Sequence, residues 1–247
     1  MSKKRKNTHV KQFLSAVEDL LYPPACPLCR TVLPIRSGAV CDVCRAKISY
    51  VQTPVCLRCG KEVMDEEQEL CEDCAAHERS FIRGFPAMNY VEPLPDSIAD
   101  FKYHNRRDYA VFYAQEIVRC HGQAILALAP EALIPVPVHR EKLKKRGYNQ
   151  AEILAQAMED ILHIPVDADI IERRVNTLPQ KALDDAEREK NLKSAFHSTD
   201  KIVKYKKVML VDDIYTTGAT IEACTRALKD KGIKEIYYTS ICIGKGY

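Results

Sequence analysis

The sequence predicts an α/β protein: a parallel sheet with helices on both faces, preceded by a small module held together by metal. Three observations carry this reading. From about residue 85 onward, short apolar runs alternate with amphipathic helical stretches, the order that builds a parallel sheet. Between Cys26 and Cys74 four cysteine pairs recur at a fixed interval. The 247 residues, with 46% hydrophobic and 29% charged side chains, suffice for one good-sized domain plus an appendage and exclude a disordered chain. A net charge of only +3 means that any affinity for nucleic acid must come from local patches.

Residues 1–24 are predicted to be an amphipathic helix. Val10, Phe13, Leu14, Val17, Leu20 and Leu21 repeat at helical spacing until Pro23 and Pro24 stop the pattern. The stripe is short and its polar face is not strongly cationic, so it reads as a docking surface rather than a membrane anchor. Glu18 and Asp19 interrupt the apolar stretch that a secretion signal needs, and Ala124 to Val138, the richest apolar window, is broken by Pro130, Glu131, Pro135 and Pro137. A cytoplasmic protein without membrane contact is expected, with its thiols reduced.

Residues 25–77 are expected to form the metal module. Its pairs are Cys26/Cys29, Cys41/Cys44, Cys56/Cys59 and Cys71/Cys74, each enclosing two residues and repeating every 15. A two-residue gap lets both thiolates of one knuckle reach one ion, and two knuckles complete the tetrahedron of structural zinc. Eight thiolates therefore make two closed, structural zinc sites. Sequential pairing keeps each unit local and is favoured, while interleaved pairing would make a cross-brace. Arg30, Arg45, Arg58 and Lys61 flank the knuckles and can offset the thiolate charge. His77 is a less suitable ligand because eight cysteines already fill both sites.

After a connector at His77 to Pro86, residues 85–247 are assigned to the α/β domain. Strands are expected at Ala132–Val138, Asp169–Arg174, Lys207–Val211 and Glu235–Ile243, and helices at Asp108–Leu128, Asn149–Leu162 and Ala219–Lys231. Cys120, Cys224 and Cys242 stand singly in apolar segments and read as core.

The most specific stretch is Lys207 to Thr220. Val208 to Val211 reads as a buried strand, Asp212 and Asp213 stand at its carboxyl end, and Ile214 to Gly218 forms a loop into the next helix. Open α/β sheets bind ligands at this position. Backbone N–H groups of Thr216, Thr217 and Gly218, with the threonine hydroxyls, suit a phosphate dianion. The two carboxylates suit hydroxyls or a divalent cation, so the pattern describes a ribose 5-phosphate. The Walker loop and the dinucleotide glycine triplet are both missing from the sequence. A magnesium pocket of the phospho-receiver type leaves the threonine-rich loop unexplained, and a simply capped helix after a core strand is the bland alternative.

Asp212 to Thr220 resembles the 5-phosphoribosyl-1-pyrophosphate (PRPP) signature of type I phosphoribosyltransferases. With the cysteine module in front, the chain resembles the ComF family, the competence-associated phosphoribosyltransferase-like proteins that include ComFC and the GntX-like proteins. Phe101-Lys102-Tyr103, Val136 to His139 followed by Arg146 to Gln150, and Thr177 to Asn191 with Gln180, Leu183, Arg188 and Asn191 match the same pattern. The resemblance implies a type I phosphoribosyltransferase-like sheet behind a double zinc ribbon.

By that resemblance, Asp212 and Asp213 hold the ribose hydroxyls, and Thr216, Thr217, Gly218 and Thr220 the 5-phosphate. Val136, Pro137, Val138 and His139, with Arg146, form the pyrophosphate loop, and Arg173, Gln180 and Arg188 belong to a lid. Arg140, Lys144 and Lys145 are further cations near the leaving group. Magnesium accompanies PRPP. The implied role is in DNA uptake during natural transformation, in the cytoplasm, with single-stranded DNA and a ComFA-type helicase as partners. Pentosyl transfer from PRPP is the implied reaction if the protein is an enzyme. The alternative is a non-catalytic DNA- or partner-binding module, to which the basic runs at residues 3–6, Arg140–Arg146 and Lys201–Lys207 lend support.

Overall fold

Four parallel strands form the centre of the molecule, and they are the runs whose side chains are apolar on both faces, as a sheet covered on both sides requires. The computed structural model describes residues 24–34, 38–174, 195–199 and 205–244. In chain order these hold α1 (Asp42–Arg45), α2 (Glu72–Ala76), β1 (Gly84–Asn89), α3 (Leu94–Tyr103), α4 (Tyr109–Leu128), β2 (Ala132–Pro135), α5 (Arg140–Arg146), α6 (Gln150–Leu162), β3 (Ile171–Arg173), β4 (Phe196–Ser198), β5 (Lys207–Tyr215), α7 (Ala219–Asp230) and β6 (Glu235–Ile243).

The sheet order is β1-β6-β5-β2, with every neighbouring pair parallel. Alternation along β5 sorts the core into two halves. Met209 and Val211 face α4 and α6, whereas Val208 and Leu210 face α7. Both edges are covered, which blocks pairing with other chains. Residues 49–51 bond to β1 through Asn89 N to Ser49 O (2.7 Å) and Val51 N to Ala87 O (3.2 Å). Residues 165–167 bracket Leu133 on the β2 side.

The cysteine module is built into this architecture. Cys26, Leu33, Val40, Cys44 and Ile48 pack with α4 on one face, and Cys56, Cys59, Cys71, Cys74 and Phe81 pack with α7 on the other. The flanking cations do not simply offset thiolate charge. Arg30 donates to both oxygens of Asp100 at 2.7 and 3.0 Å, Arg45 to Glu116 at 3.0 Å, and Arg58 to the Phe81 carbonyl at 2.7 Å. They tie the module to the sheet domain, because burying Asp100 and Glu116 demands a partner for each carboxylate. Lys61 stays within the module, on Asp73 at 3.0 Å.

Several expected boundaries shift. Part of the connector at His77 to Pro86 is strand: β1 begins at Gly84, and its Pro86 is tolerated because β1 is the last strand of the sheet. The strand expected at Ala132–Val138 stops at Pro135, since the chain must turn into α5. The strand at Asp169–Arg174 shrinks to β3 and pairs antiparallel with β4, apart from the main sheet. β5 runs on to Tyr215 because β6 is long enough to continue the ladder through Cys242 and Ile243, so Asp212 and Asp213 lie within the strand and the loop is reduced to Thr216–Gly218. The helix at Val10 to Leu21, the lid residues Gln180 and Arg188, and the lysines at 201 and 204 lie outside the described residues. No helix among the described residues is long and apolar enough to cross a membrane.

Candidate functional site

The carboxyl ends of β2 and β5 open onto a cleft of about 300 Å³, with α3 and α5 on its rim. Asp213 is its buried anchor. Lys102, in the last turn of α3, places Nζ 2.8 Å from Asp213 Oδ1, and Gln150, the first residue of α6, donates from Nε2 to Oδ2 at 2.8 Å. Burial alone would pull the Lys102 ammonium down, but the Asp213 carboxylate outweighs it and lifts the pKa above its ordinary value. Arg146 donates to Gln150 Oε1 at 2.8 Å and to the Tyr103 hydroxyl at 3.2 Å, with its guanidinium 4.7 Å above the Tyr103 ring. A continuous polar network therefore runs from β5 to the exposed rim.

Asp212 differs from its neighbour. Burial, followed by repulsion from Asp213, pushes its carboxyl up to about 8, while the Asp213 N–H donates to its Oδ1 at 2.8 Å. Near neutral pH the raised pKa favours the protonated form of Asp212. An acid whose folded pKa is raised binds a proton that the unfolded chain has released, so stability falls as pH rises from about 4 to about 8. Asp212→Asn removes that penalty. The variant is expected to match wild type near pH 4 and to exceed it by about 2 kcal/mol at pH 8.5, read by urea unfolding.

After Tyr215 the chain turns through Thr216 and Thr217 to Gly218, which adopts φ 77° before α7 starts. Thr216 and Thr220 line the cleft and Thr217 is exposed; its hydroxyl accepts the Ala219 N–H at 3.5 Å. On the opposite wall Val136, Pro137 and Val138 follow β2. Asn149 braces this loop by donating to the Val136 carbonyl at 3.1 Å.

His139 is the cap of α5: its Nδ1 accepts the Glu141 N–H at 3.3 Å, the turn-stabilising role. Of the α5 cations, Lys142 and Arg146 line the cleft, being one helical turn apart, whereas Arg140, Lys144 and Lys145 are exposed and do not. Partial burial, then the nearby Arg173, Arg146 and Lys102 charges, lower the Lys142 pKa. Arg173 of β3 also lines the cleft. Sequence reasoning assigned no role to Lys102, Tyr103, Lys142 or Gln150. Lys102, Tyr103 and Gln150 stand in segments that match the family pattern, and the i, i+4 spacing of Lys142 and Arg146 was the signal for Lys142; that α3, α5 and α6 bring them to one cleft is a matter of tertiary packing.

The cysteines form two clusters, Cys26/Cys29/Cys41/Cys44 and Cys56/Cys59/Cys71/Cys74, so pairing is sequential. Within each, all Sγ atoms lie within 4.8 Å of one another, with Cys29–Cys41 at 3.7 Å and Cys59–Cys71 at 3.6 Å. Zinc–sulfur bonds of 2.3 Å at tetrahedral angles give sulfur spacings of about 3.8 Å, so both donor sets fit zinc. His77 bonds the Asp73 carbonyl through Nδ1 at 3.2 Å and belongs to neither cluster.

Comparison with known proteins gives the same two parts. A double zinc ribbon domain matches residues 17–75, and a phosphoribosyl transferase domain matches residues 143–244. Competence protein F of Haemophilus influenzae is 34% identical over 220 residues, covering 85% of this chain and 93% of that protein. DNA utilization protein YhgH of Escherichia coli K12 is 26% identical over 227 residues, 90% of this chain and 98% of its own. Competence protein ComFC of Bacillus subtilis is 25% identical over 203 residues, 78% and 79%. With two four-cysteine clusters in front of a phosphoribosyltransferase-type sheet and a relative this similar along nearly its whole length, the chain belongs to the ComF family of competence and DNA-utilization proteins.

Proposed function

We propose that the protein binds PRPP in the cleft at the end of β5 and serves the handling of DNA taken up by the cell, in the cytoplasm. The observation that carries this is the placement of Asp212 and Asp213 directly before the Thr216–Gly218 turn, opposite the cationic wall of Lys142, Arg146 and Arg173. Sugar hydroxyls meet the acids, the 5-phosphate meets the turn at the start of α7, and the pyrophosphate meets the Val136–Val138 loop and the α5 cations. Asp213 already pairs with the Lys102 ammonium, whose charge opposes a second cation at that carboxylate, so magnesium fits here as a companion of the pyrophosphate rather than as an ion held by the acid pair.

If pentosyl transfer occurs, positive charge develops on the anomeric carbon and negative charge on the leaving pyrophosphate. Lys142 and Arg146 stand where that negative charge is stabilised. PRPP with magnesium is expected to raise the melting temperature, by a stabilisation of about 2.7 kcal/mol at a hundred times Kd. No shift at millimolar PRPP would reject the reading.

A second reading, a DNA- or partner-binding module, is favoured by α5. Five of its seven residues are basic, none is buried, and it flanks the cleft. Single-stranded DNA is expected to bind with an affinity that falls steeply with salt and weakens when Lys144 and Lys145 are changed to Ser. Binding that ignores both salt and these changes would reject it. A ComFA-type helicase is the expected protein partner in that setting.

A further inference from the structure

The turn that follows β5 packs on a column of aromatic rings. A Cβ placed on Gly218 would meet the Tyr215 hydroxyl at 2.2 Å, so the phenol packs directly against the turn. Tyr215 is buried, and its hydroxyl has no hydrogen-bond partner among the described residues. Its position is set by packing. The Tyr215 ring stacks on Tyr238, with centroids 4.8 Å apart and planes within 9°. Phe81 meets Tyr238 edge-on at 5.1 Å and Tyr215 at 6.3 Å.

Tyr238 is fixed in turn at its far end. Its hydroxyl donates to the Cys59 carbonyl at 2.7 Å, and its ring lies against the bare backbone of Gly84, where an added Cβ would come within 2.2 Å of ring carbon Cε1. Gly84 itself donates its N–H to the Arg58 carbonyl at 2.8 Å. Cys59 is one of the four thiols of the second cluster, whereas the first cluster packs on the opposite face of the sheet with α4.

We propose that the second zinc ribbon, and not the first, positions the phosphate end of the site. The ribbon holds Tyr238, Tyr238 holds Tyr215, and Tyr215 holds Gly218 in the left-handed turn that aims the Thr216–Gly218 backbone at a phosphate. Tyr238 and Tyr215 are thus positioning residues that touch no ligand. This inference rests on the pentose 5-phosphate reading of the turn.

Phosphorus-31 NMR of PRPP bound to the full chain with magnesium tests it, because the 5-phosphate and the two pyrophosphate resonances are resolved separately. Two variants perturb the column without touching the cleft: Tyr238→Phe removes the bond to Cys59, and Gly84→Ala pushes on the ring. In each, the 5-phosphate resonance is expected to move back toward its free position while the pyrophosphate resonances keep their bound shifts. PRPP affinity is expected to fall in Tyr238→Phe, by no more than about fivefold, because the worth of one buried hydrogen bond is the most that its loss can pass on to the turn. Native mass spectrometry is expected to count two zinc ions per chain in both variants. Bound shifts unchanged at all three phosphates in both variants would overturn the inference, as would a uniform loss at all three with both zinc ions retained. A wild-type protein that shifts no resonance would instead overturn the underlying reading, and the inference with it.

Discussion

Asp213→Ala is expected to weaken PRPP binding by at least about 100-fold while leaving two zinc ions per chain. The carboxylate is the hub of the cleft, accepting from Lys102 at 2.8 Å and from Gln150 at 2.8 Å, and Gln150 in turn receives Arg146. Removing it deletes the acceptor for the sugar hydroxyls and leaves the Lys102 ammonium, only 17% exposed, without its counter-charge. A partly buried charge stripped of its partner costs several kcal/mol unless it moves or loses its proton. The network then loses the geometry that holds Arg146 at the rim. Equilibrium dialysis with labelled PRPP reads the affinity. Asp213→Asn, which keeps an acceptor oxygen but not the charge, is expected to fall between Ala and wild type. An Ala variant that binds PRPP like wild type would remove Asp213 from the site.

Stripping zinc is expected to lower the melting temperature of the whole chain by at least about 10 °C, not merely to loosen its front end. The module is too short to hold a core of its own, and zinc supplies apparent energies of about 10–16 kcal/mol in such modules. Here each cluster lies within one of the two halves of the shared core: Cys26 and Cys44 beside α4, Cys56 and Cys74 beside α7. The pairs Arg30–Asp100 and Arg45–Glu116 fail with the first ribbon, leaving buried Asp100 to His104 and buried Glu116 to Arg119. The measurement is thermal unfolding followed by near-ultraviolet circular dichroism with and without a chelator. A sheet domain that melts at an unchanged temperature would show that the module is an independent appendage.

Periodicity and spacing carry local information, and the parts of this fold that are local were legible. The central strands β5 and β6 each carry an apolar core, Val208–Val211 and Ile236–Tyr238 with Ile241–Ile243, and α4, α6 and α7 fall within one or two residues of where their patterns begin and end. The 15-residue cysteine repeat foretold two four-thiol sites. β1 was hidden because Pro86 reads as a breaker, and only its place as the last strand makes a proline harmless there. α3 was hidden by Pro93 and Pro95, which mark the start of the helix rather than a loop.

In the site, Asp212, Asp213 and the threonine turn were readable because they are contiguous. Lys102 lies 111 positions from Asp213 in the chain, so nothing in local sequence joins them. Arg30, Arg45 and Arg58 show the same limit. Next to a thiolate knuckle they look like charge compensation, and only tertiary packing discloses the buried carboxylates and the Phe81 carbonyl that they reach.

The ligand expected in the β5 cleft is an activated pentose phosphate. Isothermal titration of the zinc-loaded wild-type chain with PRPP in saturating magnesium tests this most directly. One saturable site per chain is expected, with ribose 5-phosphate competing for it. An absence of heat at millimolar PRPP, confirmed by an unshifted phosphorus spectrum, would contradict the account.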